Sequence, residues 1–273
     1  MNIGIIGQGF VGNAIYQKFK QFYKVFTYDK ISSLSNSSFE ELTKKSEIIF
    51  VCVPTPMNND GSCNIKLVSE VLSKLNKVSK AIVVVKSTVL PGTIEEFNNQ
   101  FVNINIVFNP EFLTERNAVE DFNNQNRIIL GGPRPATTKL VQLYSSVFPK
   151  AHIIKTGSTH AEMIKYFTNC FLASKVAFAN EMYELCGSLD LDFDKVVEYA
   201  TLDKRLGSSH WAVPGPDGDF GFGGHCFPKD LSAIIKMTDD FGTVNNILKS
   251  VKKTNDKVRN ERDWESMKGR AVT

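Results

Sequence analysis

Gly7-Gln8-Gly9-Phe10-Val11-Gly12 decides how this chain of 273 residues folds. The stretch follows a short apolar run, Asn2–Ile6, and opens a helical pattern over 11–22. Strand, glycine turn and helix in that order start a doubly wound α/β fold at its phosphate-binding edge. Each glycine has its own task. The first makes the tight turn, the second lets a pyrophosphate reach the backbone, and the third lets helix and strand pack closely. The helix start then offers N–H groups to the phosphates. Asp29 ends the second apolar run, Lys24–Tyr28, about twenty residues after the first glycine, as the dinucleotide fingerprint requires. A carboxylate there accepts the ribose hydroxyls of NAD and repels the 2′-phosphate of NADP. NAD is therefore the expected cofactor, held by Gly7, Gly9, Phe10, Val11, Gly12 and Asp29.

Outward from this turn the same alternation continues. Apolar runs at 48–53, 81–85, 104–108, 127–130 and 151–154 are separated by helix patterns near 64–76, 91–99 and 136–146. Several runs are rich in Val and Ile, as strands covered on both faces are. The alternation predicts a Rossmann-type, doubly wound, mostly parallel sheet. After Lys155 the pattern turns helical. One long helix is expected from 159 to 187. Its apolar residues, among them Met163, Ile164, Phe167, Phe171, Leu172, Val176, Phe178 and Met182, form a stripe wide enough to bury the helix on more than one side. Further helices are expected near 193–201, 229–240 and 243–260, with a Gly/Pro-rich loop over 207–228. The expected organisation is a Rossmann domain over 1–156, an all-helical domain over 157–260 and a charged tail over 261–273.

Composition removes several classes of function. A net charge of +3 with no basic run leaves no nucleic-acid footprint. No stretch has the apolar length of a membrane span. The first residues lack the basic start and cleavage site of a signal peptide. The five cysteines are odd in number and show no CxxC spacing, which implies free thiols in a reducing, cytoplasmic setting. Cys52, Cys170 and Cys186 lie in apolar periodic segments and read as small core residues. The four histidines have no zinc-ligand spacing, so no metal is expected.

In an open α/β sheet, ligands bind beyond the carboxyl ends of the strands. Three such ends carry unusual residues: Val53-Pro54-Thr55-Pro56, Lys86-Ser87-Thr88-Val89-Leu90-Pro91-Gly92-Thr93, and Asn109-Pro110-Glu111-Phe112-Leu113-Thr114-Glu115. Each alone is ordinary turn chemistry; together they mark one edge. Lys165 and Asn169 share a helix face, and spacing alone reads Lys165 as a solvated surface lysine. The segment Gly221-Phe222-Gly223-Gly224-His225-Cys226-Phe227-Pro228-Lys229-Asp230 carries the most information. Its glycines let backbone approach a ligand, and Pro228 suits the first turn of a helix starting just after Cys226. A cysteine at a helix start beside a lysine has thiolate character and is nucleophilic. The same residues also describe a buried thiol after a flexible loop.

Taken together, GQGFVG, VPTP, STVLPGT, NPEFLTE, NRIILGG, AEMIKYFTN, KRLG and GFGGHCFPKD resemble the UDP-glucose/GDP-mannose dehydrogenase family, in order and over nearly the whole chain. The resemblance implies oxidation of the C6 alcohol of a nucleotide sugar to a carboxylate with two NAD. By the same resemblance Cys226 is the nucleophile that forms a thiohemiacetal and then a thioester. Lys165 and Asn169 stabilise the oxyanion, Asp230 assists proton removal with a water and Lys165, Glu111 serves thioester hydrolysis, and Thr88 holds the catalytic water. Pro54, Thr55, Ser87, Thr88, Glu115 and Lys229 match positions near the cofactor. Glu111, Phe112, Leu113, Lys165, Asn169, Arg205 and Gly223 match positions near the substrate. Arg205 matches an arginine acting on the neighbouring subunit's substrate, which implies a homodimer built on the long helix. UDP-glucose is the expected substrate, with GDP-mannose or a UDP-HexNAc as alternatives. Family members continue into a third α/β domain, and residues 267–273 resemble its lead-in and first strand. The chain is thus expected to be a natural truncation or a fragment, and an NAD-binding, dimerising module with little turnover stays open as a reading of another class.

Overall fold

The computed structural model describes residues 1–273. Seven strands take up the apolar runs: β1 (Asn2–Ile6), β2 (Lys24–Tyr28), β3 (Ile48–Val51), β4 (Ile82–Val85), β5 (Asn105–Phe108), β6 (Arg127–Gly131) and β7 (His152–Thr156). They form one sheet in the order β2-β1-β3-β4-β5-β6-β7. Neighbours pair in parallel except β5 and β6, which meet antiparallel at Phe108 and Gly131. The fold is the expected mostly parallel α/β sheet. The register aligns Ile5, Phe50, Val84 and Val107 in one row. That row packs with Phe19, Phe122 and Tyr144 on one face. The alternate residues Ile49, Val83 and Ile106 pack with Leu72, Ile94 and Phe97 on the other. Both faces are covered, which is why these strands read as continuous apolar runs and not as alternations.

Around the sheet lie α1 (Phe10–Phe19), α2 (Phe39–Lys45), α3 (Lys66–Val78), α4 (Thr93–Gln100), α5 (Ala118–Asn123) and α6 (Arg134–Val147). Periodicity passes over α2 and α5, which are too short to repeat. A local signal for α2 exists: the Ser38 side chain accepts the N–H of Glu41 at 3.0 Å, and Ser-x-x-Glu is a capping-box sequence. The helical half holds α7 (Ser158–Ser188), α8 (Phe193–Ala200), α9 (Phe227–Asp240), α10 (Asn246–Val258) and α11 (Asp263–Ser266).

By contacts the chain divides into two compact units. One comprises Met1–Thr55 and Ile65–Lys165; the other comprises Pro56–Asn64 and Tyr166–Thr273. This division differs from the expected boundary after residue 156. The first turns of α7 group with the sheet because Ala161 and Ile164 pack into its core and Glu162 and Lys165 bond to its loops. The 261–273 segment is not a separate tail. Trp264 and Ala271 are buried, and Met57 exchanges backbone bonds with Ala271 and Thr273, which also explains why the 56–64 loop groups with the second unit.

Glu162 caps α4. Gly92, at the N-cap in a left-handed conformation, has no side chain to satisfy the helix start. The buried Glu162 carboxylate instead accepts the N–H of Gly92 at 2.7 Å and of Ile94 at 2.8 Å. Burial pushes this carboxyl up from 4.5 to about 7, outweighing the two N–H donors, with Glu95 and Glu96 adding to the rise. A raised carboxyl contributes stability in full below its unfolded value and loses it as pH climbs through the folded one. Unfolding free energy is therefore expected to fall between about pH 5 and pH 8, by up to ~1.4 kcal/mol per pH unit from this group. Denaturant titrations at four pH values check this: Glu162→Gln should lack that slope, and an identical slope in both proteins would refute it.

Candidate active site

In the first unit the glycine turn behaves as the motif requires. Gly7 has φ +92°, and a Cβ there would stand 2.7 Å from the Cys52 carbonyl oxygen. A Cβ on Gly12 would overlap the Gly7 carbonyl oxygen, so α1 and β1 can approach only through glycine. Over Gly9 there is open space, and no side chain caps the start of α1. Open space before an uncapped helix start fits a pyrophosphate. Asp29, just beyond β2, is held by the turn: Oδ2 accepts the Gln8 N–H at 2.7 Å and Oδ1 the Ile31 N–H at 2.9 Å. The anchored carboxylate keeps lone pairs for a ribose diol, so the residues present fit NAD.

Two further strand-end loops are tied to each other. The Thr55 hydroxyl donates to the Thr88 carbonyl at 2.8 Å and Ser87 to the Val53 carbonyl at 2.6 Å. Thr55, Ser87 and Thr88 are buried while Pro54 is exposed. Cys52, expected in the core, is only partly buried as a residue, yet burial of its thiol pushes it up to about 12.

The loop after β5 holds a buried ion pair. Lys165 Nζ, expected at the surface from spacing alone, is 2.8 Å from Glu111 Oε1 and donates to the Glu111 carbonyl at 2.6 Å. Both side chains are almost fully buried. Glu111 Oε2 accepts the Leu113 N–H at 2.8 Å. Burial opposes the charge of Glu111, but Lys165, the Leu113 N–H and Lys86 outweigh it and hold the carboxyl below its usual range. The Phe112 ring sits under the Arg127 guanidinium, 4.1 Å from its central carbon. Phe112 and Leu113 are half-buried, and Glu115 is exposed. Beneath the loop, Asn109 accepts from Lys86 at 3.0 Å and from the Tyr144 hydroxyl at 2.5 Å, and donates to the Ile129 carbonyl at 2.8 Å. Burial pushes Lys86 down to about 8. Sequence reading assigned no role to Lys86, Asn109 or Tyr144; the available signal was a lysine directly following an all-apolar strand.

In the second unit Cys226 is the N-cap of α9, with Pro228 in the first turn as expected. Asp230 N–H donates to the Cys226 carbonyl at 2.9 Å, closing the first helical bond. The Asp230 side chain is buried. Its Oδ2 accepts from Asn169 Nδ2 at 2.7 Å and its Oδ1 from Lys229 Nζ at 2.5 Å. Burial opposes the charge of Lys229, but Asp230, with Cys63 and Cys226, outweighs it and holds the ammonium above its ordinary value. Cys63, from the 56–64 loop, thus belongs to this cluster, a placement no sequence spacing indicated. The space a side chain would need at Gly223 is taken by Arg259 and Asp263. Arg205 is exposed and pairs with Asp203. Its turn is gripped by Lys175, which donates to the Leu206 carbonyl at 3.0 Å, and by Trp211, which donates to the Gly207 carbonyl at 2.8 Å.

The chemistry available is specific. One unit offers a dinucleotide turn and a desolvated, ionised carboxylate held by an ammonium group. The other offers a partly exposed thiol at a helix N-terminus, followed by a buried Asn–Asp–Lys set. Comparison with known proteins agrees with this reading. Residues 24–148 match the UDP-glucose/GDP-mannose dehydrogenase family, NAD binding domain, and residues 159–257 match that family's central domain. A UDP-glucose 6-dehydrogenase of Rickettsia bellii is 35% identical over 227 residues, covering 80% of this chain and 51% of its own length. The chain thus spans about half the length of the curated relatives it matches. The structure of a UDP-glucose dehydrogenase from Pyrobaculum islandicum superposes with a TM-score of 0.86 at 30% identity, covering 94% of this chain and 68% of that one. A GDP-mannose dehydrogenase from Pseudomonas aeruginosa superposes with a TM-score of 0.69 at 26% identity, covering 94% and 69%. With that family's two domain models matched over residues 24–148 and 159–257, the chain belongs to the UDP-glucose/GDP-mannose dehydrogenase family.

Proposed function

We propose that the chain is an NAD-dependent nucleotide-sugar 6-dehydrogenase that oxidises a C6 alcohol to a carboxylate, with UDP-glucose as substrate. The observation that carries this is Cys226, placed at the N-terminus of α9 directly before the buried Asp230–Asn169–Lys229 set. NAD, when bound, accepts a hydride from C6 in each of two oxidations. Asp230, through a water and with Lys165, takes the hydroxyl proton in the first. The Cys226 sulfur then adds to the aldehyde carbon, forming a C–S bond, and Lys165 and Asn169 donate to the oxyanion. Donors fixed where charge develops need no reorganisation at that moment. Loss of the second hydride from the same carbon leaves a thioester. Glu111 assists a water, positioned by Thr88, to attack the carbonyl; the C–S bond breaks and the sulfur leaves as thiolate.

Glu115 and Lys229 belong near the cofactor in this reading, and Phe112, Leu113 and the Gly223 backbone near the sugar. Lys229 acts there through Asp230, to which its charge is already committed. The assembly proposed is a cytoplasmic homodimer through α7, with Arg205 reaching the partner's substrate. The expected burial of the α7 stripe is not met within one chain: Phe167, Phe171 and Phe178 are 71%, 59% and 55% exposed. A second copy would supply the missing cover for this one helix face. A second reading carries an observation of its own: the likeness to a GDP-mannose dehydrogenase favours the same chemistry on another nucleotide sugar. An NAD-binding module with little turnover is the alternative of another class.

The test is NADH formation by the purified chain with UDP-glucose, UDP-HexNAcs and GDP-mannose. Two NADH per sugar, with one sugar preferred, would support the dehydrogenase. Measurable NAD binding without turnover would support the module. Asp29→Ala is expected to weaken NAD about tenfold and to narrow its preference over NADP. An unchanged preference would count against the ribose role.

A further inference from the structure

Two glycines of the loop before Cys226 pack against the chain's own side chains. A Cβ on Gly221 would overlap Asn255 Oδ1, and one on Gly223 would overlap Arg259 and Asp263. On that side of the backbone the space is filled by side chains from α10 and the segment after it.

Those side chains grip the loop backbone at successive positions. Asn255, buried, accepts the Phe222 N–H at 2.7 Å and donates to the Phe222 carbonyl at 3.0 Å, as a neighbouring strand would. Asn180 accepts the Gly221 N–H at 3.1 Å. Asp263 accepts the Gly224 N–H, at 3.0 Å and 3.2 Å from its two oxygens. Arg259, also buried, donates to the Phe220 carbonyl at 3.4 Å and pairs with Asp263 at 3.3 Å. It further pairs with Asp217 at 2.7 Å and Asp219 at 3.4 Å, closing the loop's upstream arm onto the same residue.

We infer that Asn255, Arg259 and Asp263 are positioning residues for Cys226: they clamp the loop over residues 220–224 and so fix where the thiol stands at the start of α9. The physical need is clear. Three glycines within four residues give this stretch wide backbone freedom. A nucleophile at its end would wander, and displacement by about 1 Å can cost about a hundredfold in rate. The clamp removes that freedom with side chains that touch neither the sulfur nor the bound sugar in the reading above. The inference rests on Cys226 being the nucleophile, but its test does not need turnover.

The test is the rate at which iodoacetamide alkylates each of the five cysteines, followed by peptide mass spectrometry, in the wild-type chain and in Asp263→Ala, Asp263→Asn and Asn255→Ala. Asp263 lies partly exposed, so its variants report even if loss of the buried Asn255 amide impairs folding. Releasing the loop should expose the half-buried Cys226. Alkylation there is expected to rise about tenfold in both alanine variants, with buried Cys170 and Cys186 unchanged. Asp263→Asn keeps an oxygen for the Gly224 N–H and should stay within about twofold of wild type. Where turnover is measurable, kcat should fall while KM for NAD holds. Unchanged Cys226 alkylation in the alanine variants would overturn the clamp. So would acceleration at Cys170 and Cys186 in step with Cys226, which is general loosening. A wild-type chain without turnover would sink the enzymatic reading and still leave the alkylation result to decide the clamp.

Discussion

Cys226→Ser is expected to abolish formation of the sugar acid, by about 10³-fold or more, while leaving NAD affinity unchanged. In the proposed route the sulfur of Cys226, the N-cap residue of α9, is the nucleophile that bonds to the aldehyde carbon. A serine hydroxyl in the same place is a far weaker nucleophile than the sulfur. In the proposed reaction the first hydride transfer needs no sulfur, so the variant should release aldehyde with one NADH per sugar. NAD affinity should hold because the glycine turn and the anchored Asp29 carboxylate, which carry the cofactor in this reading, are untouched by the substitution. Single-turnover measurement of NADH and of acid separates the two oxidations. Acid formation by the serine variant at the wild-type rate would rule out the thioester route.

Lys165→Met is expected to destabilise the chain by about 3–5 kcal/mol at pH 7, the range for removing one partner of a buried pair. The cost comes from Glu111, which loses both the ammonium group and the charge holding its carboxyl low. It keeps only the Leu113 N–H and the more distant Lys86. In wild type a lowered carboxyl contributes stability that is complete above its unfolded value and lost as pH falls through the folded one. In the variant Glu111 escapes by taking up a proton, so the deficit should shrink as pH falls from 7 towards 4. Adding Glu111→Gln removes the orphaned charge and should recover most of the loss. Denaturant unfolding at both pH values reads all of this. A deficit below about 1 kcal/mol at pH 7 would mean the pair behaves as a surface ion pair, contrary to its burial.

How far these sites were legible follows from what each depends on. The strands were visible because parallel strands covered on both faces are runs of Val and Ile. The start of α9 was visible because Pro228 is tolerated in a first turn and poorly beyond it. The short helices α2 and α5 were not, since one or two turns show no period. The reading of Lys165 from spacing failed for another reason. A lysine on an amphipathic helix is normally solvated, and only the loop after β5 reveals that this one is not.

The sequence by itself determined the glycine turn, the place of Asp29 after β2 and the position of Cys226 at a helix start. These depend on backbone sterics and on neighbours a few residues away. Tertiary structure alone decided that Lys165 is buried against Glu111, 54 positions distant, and that Cys63 stands with Lys229. It also decided that Asn255 holds the peptide of Phe222, 33 positions away, and that the phenylalanines of α7 face outward. Desolvation and pairing are properties of whatever surrounds a side chain in space. Residues far apart in the chain supply those surroundings, and no local pattern encodes them.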